Sequence, residues 1–420
     1  MKKHIHYSKG LVAALLISVI LHTIFLITNP GNVFNNPEKY GEEISLYGSR
    51  DASLYAKQAF QLIDEGIYGY NSTEPNAYVT PGHPLYLAFL FKTADTLGFN
   101  PVATARVANL ILSVLTTFLI YQISMHLFFN KAVSTISSLL YATYFSPLHY
   151  FRTLLTEIPG IFLLCMCMLF FIIALKENKN IYHIIFGILF SITVMIRPTP
   201  APLILVCLFI LIYKNGWRAL YKQVPFWIFG PVLIIAPWIL RNLITLGHPY
   251  IFSSHSGNPM LAGTNPFFIE KFSDIASKGK ALGLTENQYA VQRIKEGFKK
   301  QPDLYISWFT IGKTIWLYRR PSDWHGYLPL YHAWTKLVYL QHFLVVLGGG
   351  LSGIILRSNK RVITLFLVIL IYTGLSLLFI PDPRFGFFII PVFCLIAGYG
   401  IHKLAVKLSP LLFRAKNVEE

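Results

Sequence analysis

The polar stretch GSRDASLYAKQAF at 48–60 contains one carboxylate, Asp51, and Tyr55 follows it by one helical turn. A carboxylate held next to a bound hydroxyl group can take the proton of that hydroxyl as a general base. The residue type also suits a helix N-cap, and a helix that begins at Asp51 would end before Gly66. The two roles are compatible. Asp51 is therefore our candidate catalytic base, and Tyr55 is a candidate for packing or for contact with an acceptor.

Several arginines stand at the ends of long apolar segments. A guanidinium group binds a phosphate through two parallel hydrogen bonds, so arginine is well suited to holding a phosphorylated substrate. Each arginine alone is explained as well by an interfacial anchor or by an ion pair with Glu157 or Asp382. As a group they favour the phosphate of a lipid-linked substrate. They are Arg106, Arg152, Arg197, Arg241, Arg319, Arg320 and Arg384.

The chain that positions these residues is very apolar, since 54% of its 420 residues are hydrophobic and 13% are charged. This composition indicates an integral membrane protein. The 36 Lys and Arg against 19 Asp and Glu then indicate cytoplasmic loops and phosphate contacts rather than nucleic-acid binding. Apolar segments of about 20 residues predict an all-α polytopic fold with about ten transmembrane helices. The predicted spans are 10–28, 107–129, 132–150, 157–175, 181–196, 199–213, 225–246, 333–356, 362–380 and 385–406.

The lysines and arginines of the short loops fall on every second boundary between predicted spans, which predicts the orientation. Both termini are expected in the cytoplasm, and two long loops, 29–106 and 247–332, are expected on the outer side with Asp51. Residues 1–420 are expected to form a single domain embedded in the cytoplasmic membrane and surrounded by its lipids. The first span is long for a signal peptide, so we expect it to be retained.

Both outer loops are predicted to carry helices of their own. In the first loop, LYLAFLFKTADTLGF is apolar but too short to span, and Gly98 ends it, so we expect an interfacial or re-entrant helix. In the second loop, Thr285 and Gln288 form a capping-box pattern at the start of a basic amphipathic helix. The aromatic segment that contains Trp308 suits the membrane interface.

Other chemistries receive little support from the residues. The four cysteines all lie in apolar runs, where a free thiol packs as a small hydrophobe, so we assign none as ligand or nucleophile. Histidines of the outer loops, His83 among them, lack metal-ligand spacing. There is no glycine-rich phosphate loop after a predicted strand, and a sugar carried by a lipid needs none.

Ordered motifs extend over most of the chain. Asp51, Tyr55 and Ala59 recur at helical spacing and are followed by TPGHPLYLAFL. Later come ARVANLILSVLTTFLIY, the pair Thr156 and Glu157, MIRPTP, PWILRNLITLGHPY and PDPRFGFFIIPVFCLIAGYG. In order, spacing and side of the membrane these motifs resemble the type C superfamily of membrane glycosyltransferases, in particular the bacterial relatives of the protein O-mannosyltransferases and the lipid A aminoarabinose transferases.

The resemblance implies inverting transfer of a sugar from a polyprenyl-phosphate donor to a lipid, glycan or protein acceptor at the outer face of the membrane. Asp51 would be the base, and Arg197, Arg241 and Arg384 would hold the donor phosphate. Some relatives use a second acid and a divalent metal; Glu74 is the only candidate here, and no metal ligand is assigned. The C-terminal domain of some relatives is not expected. Candidates for acceptor contact or for support of the base are Tyr55, Glu74, His83 and Glu157.

Two other functions remain open as alternatives. A ligase or polymerase of surface glycans would also use outer arginines, but would pair them with an essential histidine such as His248 or His325. A lipid or polysaccharide transporter would carry ionisable residues at mid-membrane, and the predicted spans are nearly free of them. A purely structural membrane protein would not need the outer arginines.

Overall fold

The computed structural model describes residues 8–416 apart from 32, 35, 255–256 and 322–330, and the described residues form helices without strands. Pro231–Ile235 and Trp308–Gly312 are π-helical turns, and Pro266–Phe268 is a 3₁₀ turn. The α-helices are α1 Lys9–Thr28, α2 Pro37–Tyr40, α3 Glu42–Tyr47, α4 Arg50–Asp64, α5 Gly82–Leu97, α6 Pro101–Phe128, α7 Lys131–Ala142, α8 Phe145–Tyr150, α9 Glu157–Glu177, α10 Asn180–Ile196, α11 Leu203–Asn215, α12 Arg218–Lys222, α13 Val224–Trp227, α14 Ala236–Leu246, α15 Gly257–Gly263, α16 Phe272–Ala281, α17 Glu286–Lys300, α18 Pro302–Ser307, α19 Lys313–Tyr318, α20 Tyr331–Ile355, α21 Lys360–Ser376, α22 Pro383–Phe387 and α23 Ile390–Lys416.

Six helical segments within the described residues are long and apolar enough to cross a membrane. The four other predicted spans correspond to the shorter helices α7, α10, α11 and α21, of 12, 17, 13 and 17 residues. The predicted all-α membrane fold is confirmed. The six long segments are Lys9–Thr28, Pro101–Phe128, Glu157–Glu177, Val224–Leu246, Lys336–Ile355 and Ile390–Ser409.

Prolines explain where predicted spans are interrupted. The predicted span 132–150 forms two helices, α7 and α8, and the span 385–406 forms α22 and the start of α23. Pro147 and Pro391 follow these breaks. A proline lacks the N–H of an internal helical hydrogen bond, and its ring clashes with the carbonyl four residues earlier. Helix α11 begins at Leu203, later than predicted, because turns occupy the proline-rich residues before it.

The helices of the core meet through small side chains. Helix α9 packs on α6 and α10, and α23 packs on α7, α20 and α21. Ser113 and Thr117 of α6 are fully buried against His22 and Ser18 of α1, and Ser137 of α7 is fully buried against Gly398 of α23. Small hydroxyl residues let helix backbones approach closely, which is typical of packing between helices in a membrane.

The N-cap of α4 corrects one prediction. Helix α4 begins at Arg50, and the Oγ atom of Ser49 accepts the Ala52 N–H at 3.1 Å. Ser49 is therefore the N-cap, and the prediction that Asp51 has this role is wrong. The Ser49 hydroxyl already accepts the free N–H of Ala52. The Asp51 carboxylate therefore lies in the first turn of the helix, where the helix dipole still favours a negative charge.

Two other outer-loop helices have the predicted end signals. Helix α5 ends at Leu97 with Gly98 as its C-cap, and α17 has the predicted capping box of Thr285 and Gln288. Trp308 differs from expectation. Its ring is buried within the protein, and its Nε1–H donates to the Gly263 carbonyl at 2.9 Å. The part of the second loop at 322–330, which includes His325, lies outside the described residues.

Candidate active site

Asp51 forms an ion pair with Arg384 at the surface of the protein. The Nη1 atom of Arg384 donates to Asp51 Oδ2 at 2.9 Å. The Asp51 side chain is 54% exposed, whereas that of Arg384 is 22% exposed. Another molecule can therefore reach the carboxylate while the ion pair holds it in place.

The same arginine also pairs with a buried carboxylate, Glu157. The Arg384 Nε atom donates to Glu157 Oε1, and its Nη2 atom lies 3.5 Å from Oε2. Glu157 Oε1 also accepts from Arg197 Nη1 at 2.6 Å. The side chains of Asp51, Arg384, Glu157 and Arg197 thus form one continuous chain of ion pairs, which we call the ionic quartet.

The members of the ionic quartet differ strongly in exposure. Glu157 is 0% exposed and Arg197 is 6% exposed. Two guanidinium groups face two carboxylates, so the formal charges cancel within the quartet. Removing one partner of such a buried pair is strongly destabilising, because the other charge is left without compensation. Asp51 and Arg384 are the members that a bound molecule can reach, and Glu157 and Arg197 support them from below.

Arg197 is held on all sides at the end of α10. Its Nη1 atom donates to Thr156 Oγ1 at 3.0 Å, and its Nε atom donates to Thr199 Oγ1 at 3.3 Å. Its guanidinium lies 5.1 Å and 5.4 Å from the ring centres of Phe385 and Phe388. The sequence left open an ion pair with Glu157 as an explanation for this arginine, and that ion pair is present.

Helix α22 presents Arg384 in its first turn. Asp382 Oδ1 accepts the Arg384 N–H at 2.8 Å, and Pro383 occupies the first helical position, where its missing N–H costs nothing. A Cβ atom on Gly386 would lie 2.5 Å from the Leu317 carbonyl oxygen. Only glycine therefore allows α19 to pack against the helix that carries Arg384.

A second glycine brings the first outer loop to the quartet. A Cβ atom on Gly82 would lie 2.6 Å from the Ile196 backbone nitrogen, so α5 begins directly against the end of α10. The next residue, His83, packs edge-on against Tyr55 with ring centres 4.9 Å apart. Tyr70 packs on the same Tyr55 ring at 5.4 Å. Aromatic rings from α4, α5 and the loop between them therefore border Asp51.

The His83 ring and the Tyr55 ring beside Asp51 are neutral near pH 7. Burial lowers the pKa of His83 to about 4. Its Nε2–H donates to the Leu154 carbonyl at 3.0 Å, and its Nδ1 atom has no hydrogen-bond partner among the described residues. Burial raises the pKa of Tyr55 to about 12. The charge at this site therefore comes from the ionic quartet.

Arg241 belongs to a separate network. Its guanidinium donates to the Asn76 carbonyl at 3.0 Å and to the Tyr68 carbonyl at 3.2 Å. The rings of Tyr68 and Trp238 lie 5.3 Å and 5.4 Å from it. None of its hydrogen bonds within the described residues reaches the quartet. Arg241 holds the turn of the first loop against α14.

The other predicted residues lie apart from the quartet. Glu74 is exposed, and its backbone N–H donates to Ser72 Oγ at 3.0 Å. It forms no ion pair within the part of the chain that the structure describes. Arg106 donates to the Arg152 and Leu46 carbonyls, and therefore ties two loop segments together.

A divalent metal does not fit the described residues. They contain no group of three His, Cys, Asp or Glu side chains that could hold a metal ion. The carboxylates of Asp51 and Glu157 face guanidinium groups, whose positive charge disfavours a second cation. The metal implied by the resemblance therefore has no ligand set here, and no chemical step is assigned to it.

Sequence reasoning assigned no role to the residues that orient the quartet. Thr156, Thr199, Phe385 and Phe388 all lie inside motifs that the sequence had singled out. The motifs carried the signal, but the contacts between them depend on packing of distant segments. Tyr70 had no signal beyond its place in a turn-rich stretch.

Part of the chain matches a known protein family, and its fold is similar to that of solved structures. Residues 82–240 match the family described as Dolichyl-phosphate-mannose-protein mannosyltransferase. The fold is similar to that of the oligosaccharyltransferase of Archaeoglobus fulgidus in its apo form, with a TM-score of 0.58 and 15% identity, over 99% of this chain and 52% of that chain. The resemblance to the type C superfamily of membrane glycosyltransferases is confirmed.

Two further structures are similar to this chain. AglB from Archaeoglobus fulgidus, in complex with an inhibitory peptide and a dolichol-phosphate, has a TM-score of 0.53 and 14% identity, over 98% of this chain and 52% of that chain. ArnT from Cupriavidus metallidurans, bound to undecaprenyl phosphate, has a TM-score of 0.40 and 12% identity, over 93% and 79%. The chain thus spans about half the length of the oligosaccharyltransferase structures. No curated protein matches it in sequence.

Proposed function

We propose that this chain is an inverting glycosyltransferase that moves a sugar from a polyprenyl-phosphate donor to a hydroxyl group of a lipid, glycan or protein acceptor. The reaction takes place at the outer face of the cytoplasmic membrane, and both termini are cytoplasmic. The observation that carries the proposal is the exposed carboxylate of Asp51, paired at 2.9 Å with an arginine that is anchored on buried Glu157.

In the proposed step, Asp51 takes the proton of the acceptor hydroxyl. The acceptor oxygen attacks the anomeric carbon of the sugar as the bond from that carbon to the phosphate oxygen breaks. The electron pair leaves with the polyprenyl phosphate. One displacement from the opposite face inverts the anomeric configuration. The 54% exposure of the Asp51 side chain leaves room for an acceptor beside it.

Arg384 is the phosphate ligand best supported by the geometry, because its Nη1 atom reaches the exposed carboxylate. A donor phosphate competes with Asp51 for this guanidinium, which can bind phosphate through two hydrogen bonds. Binding of the donor then releases Asp51 from its ion pair, and the carboxylate is free to accept the proton. The base therefore becomes available only when the leaving group is in place.

The other predicted residues have supporting roles in this scheme. Glu157 and Arg197 keep the fork of Arg384 aimed at the site, so Arg197 acts on the donor through the position of Arg384. Tyr55 and His83 form the wall beside Asp51. Arg241 remains a proposed donor ligand at the far side of the first loop. Glu74 remains a proposed second acid.

The comparisons support the donor class. The family matched by residues 82–240 is described by a dolichyl-phosphate sugar, and AglB of similar fold has been solved with a dolichol-phosphate. An arginine that a bound molecule can reach, as Arg384 is, suits the binding of such a lipid phosphate.

Reconstituted protein tests the proposal. Proteoliposomes are supplied with a panel of undecaprenyl-phosphate monosaccharides as donors. Membranes of a strain that lacks the gene for this protein serve as acceptor, and sugar transfer is measured. We expect Asp51→Asn to lower the rate by about 100-fold or more, as for loss of a general base. Asp64→Asn, at the exposed end of the same helix, is the matched control and should keep the wild-type rate. Equal rates for Asp51→Asn and wild type would overturn the assignment.

A further inference from the structure

An apolar groove lies along the bundle away from the ionic quartet. It has a volume of about 460 Å³ and is formed by α6, α9, α10, α11 and α21. Leu164, Cys167, Phe171, Val206 and Ile210 are among the side chains that line it. It follows α9 from Leu164 to Lys176, a length of about 18 Å at the rise of an α-helix. The lining and the length suit a hydrocarbon chain.

The mouth of the groove is cationic. Lys176, Lys214, Lys360 and Arg361 line it, and all four side chains are exposed. Lys214 donates to the Leu175 carbonyl at 2.9 Å. Lys214, Lys360 and Arg361 form no ion pair within the described residues. Positive charge is therefore concentrated where the apolar groove opens.

The mouth and the quartet lie at opposite ends of α9. Glu157 is the first residue of this helix, and Lys176 lies near its end. The distance along the helix is about 28 Å, close to the thickness of the hydrocarbon core of a bilayer. Under the proposed function, a donor with its phosphate at Arg384 does not reach Lys214, Lys360 and Arg361 at the mouth. A second, anionic lipid matches their charge.

We propose that this groove binds an anionic phospholipid of the opposite leaflet, with an acyl chain in the groove and the phosphate at the mouth. A basic residue near an anionic membrane surface contributes about 1 kcal/mol of attraction. Several such residues around one opening select an anionic headgroup over a zwitterionic one. The acyl chain packs between α9, α11 and α21, and therefore ties the short helix α11 to the bundle.

Lipid retention tests the proposal. The purified protein is reconstituted in nanodiscs with equal amounts of dioleoyl phosphatidylglycerol and dioleoyl phosphatidylcholine, and the lipids that remain bound are identified by native mass spectrometry. We expect phosphatidylglycerol to be retained over phosphatidylcholine by about tenfold. The variant Lys214→Gln/Lys360→Gln/Arg361→Gln should lower this preference to about one.

Two further variants separate the groove from general surface charge. Lys179→Gln/Arg218→Gln/Lys222→Gln removes three exposed cations on the same side of the bundle but outside the groove, and should keep the preference. Ile210→Trp fills the groove with the mouth intact, and should reduce the total number of retained lipids. Size-exclusion profiles establish that each variant is folded.

Three results would overturn the proposal. The first is equal retention of both lipids by the wild-type protein. The second is an equal effect of the two triple variants, which would indicate adsorption to surface charge only. The third is displacement of the retained lipid by undecaprenyl phosphate with no effect of the mouth substitutions, which would indicate that the groove holds the donor chain instead. The readout needs no transfer activity, so it is independent of the test of Asp51.

Discussion

Asp51 and Arg384 are 333 residues apart in the chain, yet their side chains form an ion pair of 2.9 Å. The pair connects the first turn of α4 with the first turn of α22. Because Arg384 also bonds to buried Glu157, the exposed carboxylate is coupled to the interior of the bundle.

Arg384→Ala should raise the apparent KM for the polyprenyl-phosphate donor by about tenfold or more, because the guanidinium that reaches the site is lost. Arg384→Lys should recover only part of the loss, since an ammonium group cannot bond to two partners as a planar fork does. Donor-dependent kinetics in proteoliposomes measure both. Arg357→Ala, an exposed arginine between α20 and α21, is the control. An unchanged KM in Arg384→Ala contradicts the phosphate role.

Glu157→Gln should lower the free energy of unfolding by roughly 3 kcal/mol, because buried Arg197 loses its carboxylate partner. The double variant Glu157→Gln/Arg197→Met should regain part of that stability, since the unpaired buried charge is gone. Thermal unfolding in detergent compares the two. If the double variant is less stable than Glu157→Gln by the full effect of Arg197→Met alone, the two residues are not coupled.

The pH dependence of stability should change in His83→Gln. The pKa of His83 is about 4 in the folded protein, below the ordinary value of 6.5. Between these values the unfolded chain binds a proton that the native state does not. The free energy of unfolding therefore falls as the pH drops from about 6.5 to about 4, by about 3 kcal/mol from this residue.

The difference between wild type and His83→Gln isolates this contribution. Unfolding midpoints measured from pH 7 to pH 4 should decline less steeply in the variant, because glutamine does not titrate. His248→Gln, an exposed loop position, is the control and should follow the wild-type slope. Parallel slopes for wild type and His83→Gln would show that the pKa of His83 is the same in the native and unfolded states.

Gly82→Ala should destabilise the protein by about 1–3 kcal/mol and reduce transfer, because the new methyl group overlaps the backbone at Ile196. Gly348→Ala is a matched control within a helix, since a Cβ atom there meets nothing within 4 Å. It should be neutral or slightly stabilising. Equal unfolding midpoints for both variants would mean that α5 can move away from α10 at no cost.

Arg241→Ala should raise the apparent KM for the donor by about threefold to tenfold with little change in kcat, if its charge acts on the bound phosphate. Its hydrogen bonds to the Asn76 and Tyr68 carbonyls give it a structural role as well. The same variant therefore needs an unfolding measurement. A lower unfolding midpoint with an unchanged donor KM would assign Arg241 to the loop alone.

The fold class was predictable because the local amino-acid composition of a segment is enough to identify a membrane span. A segment that crosses a bilayer must be apolar over its whole length, and this requirement shows without knowledge of any neighbour. The capping box at Thr285 and the C-cap at Gly98 could also be predicted, because each depends on residues that are adjacent or nearly adjacent in the sequence. The N-cap of α4 was predicted two residues late, because Ser49 and Asp51 are both good caps and only the backbone path selects between them.

For the candidate site, the sequence predicted which residues are candidates but not which of them contact each other. The sequence by itself placed four charged residues near the ends of apolar segments, where a charge is costly unless a partner or a ligand compensates it. They are Asp51, Arg197, Glu157 and Arg384. Only the tertiary structure decided that these four form one chain of ion pairs and that Arg241 belongs to another network. The reason is physical: ion pairs between distant segments depend on how helices pack, through close approaches such as that of Gly82 to Ile196, and local sequence does not encode such distances.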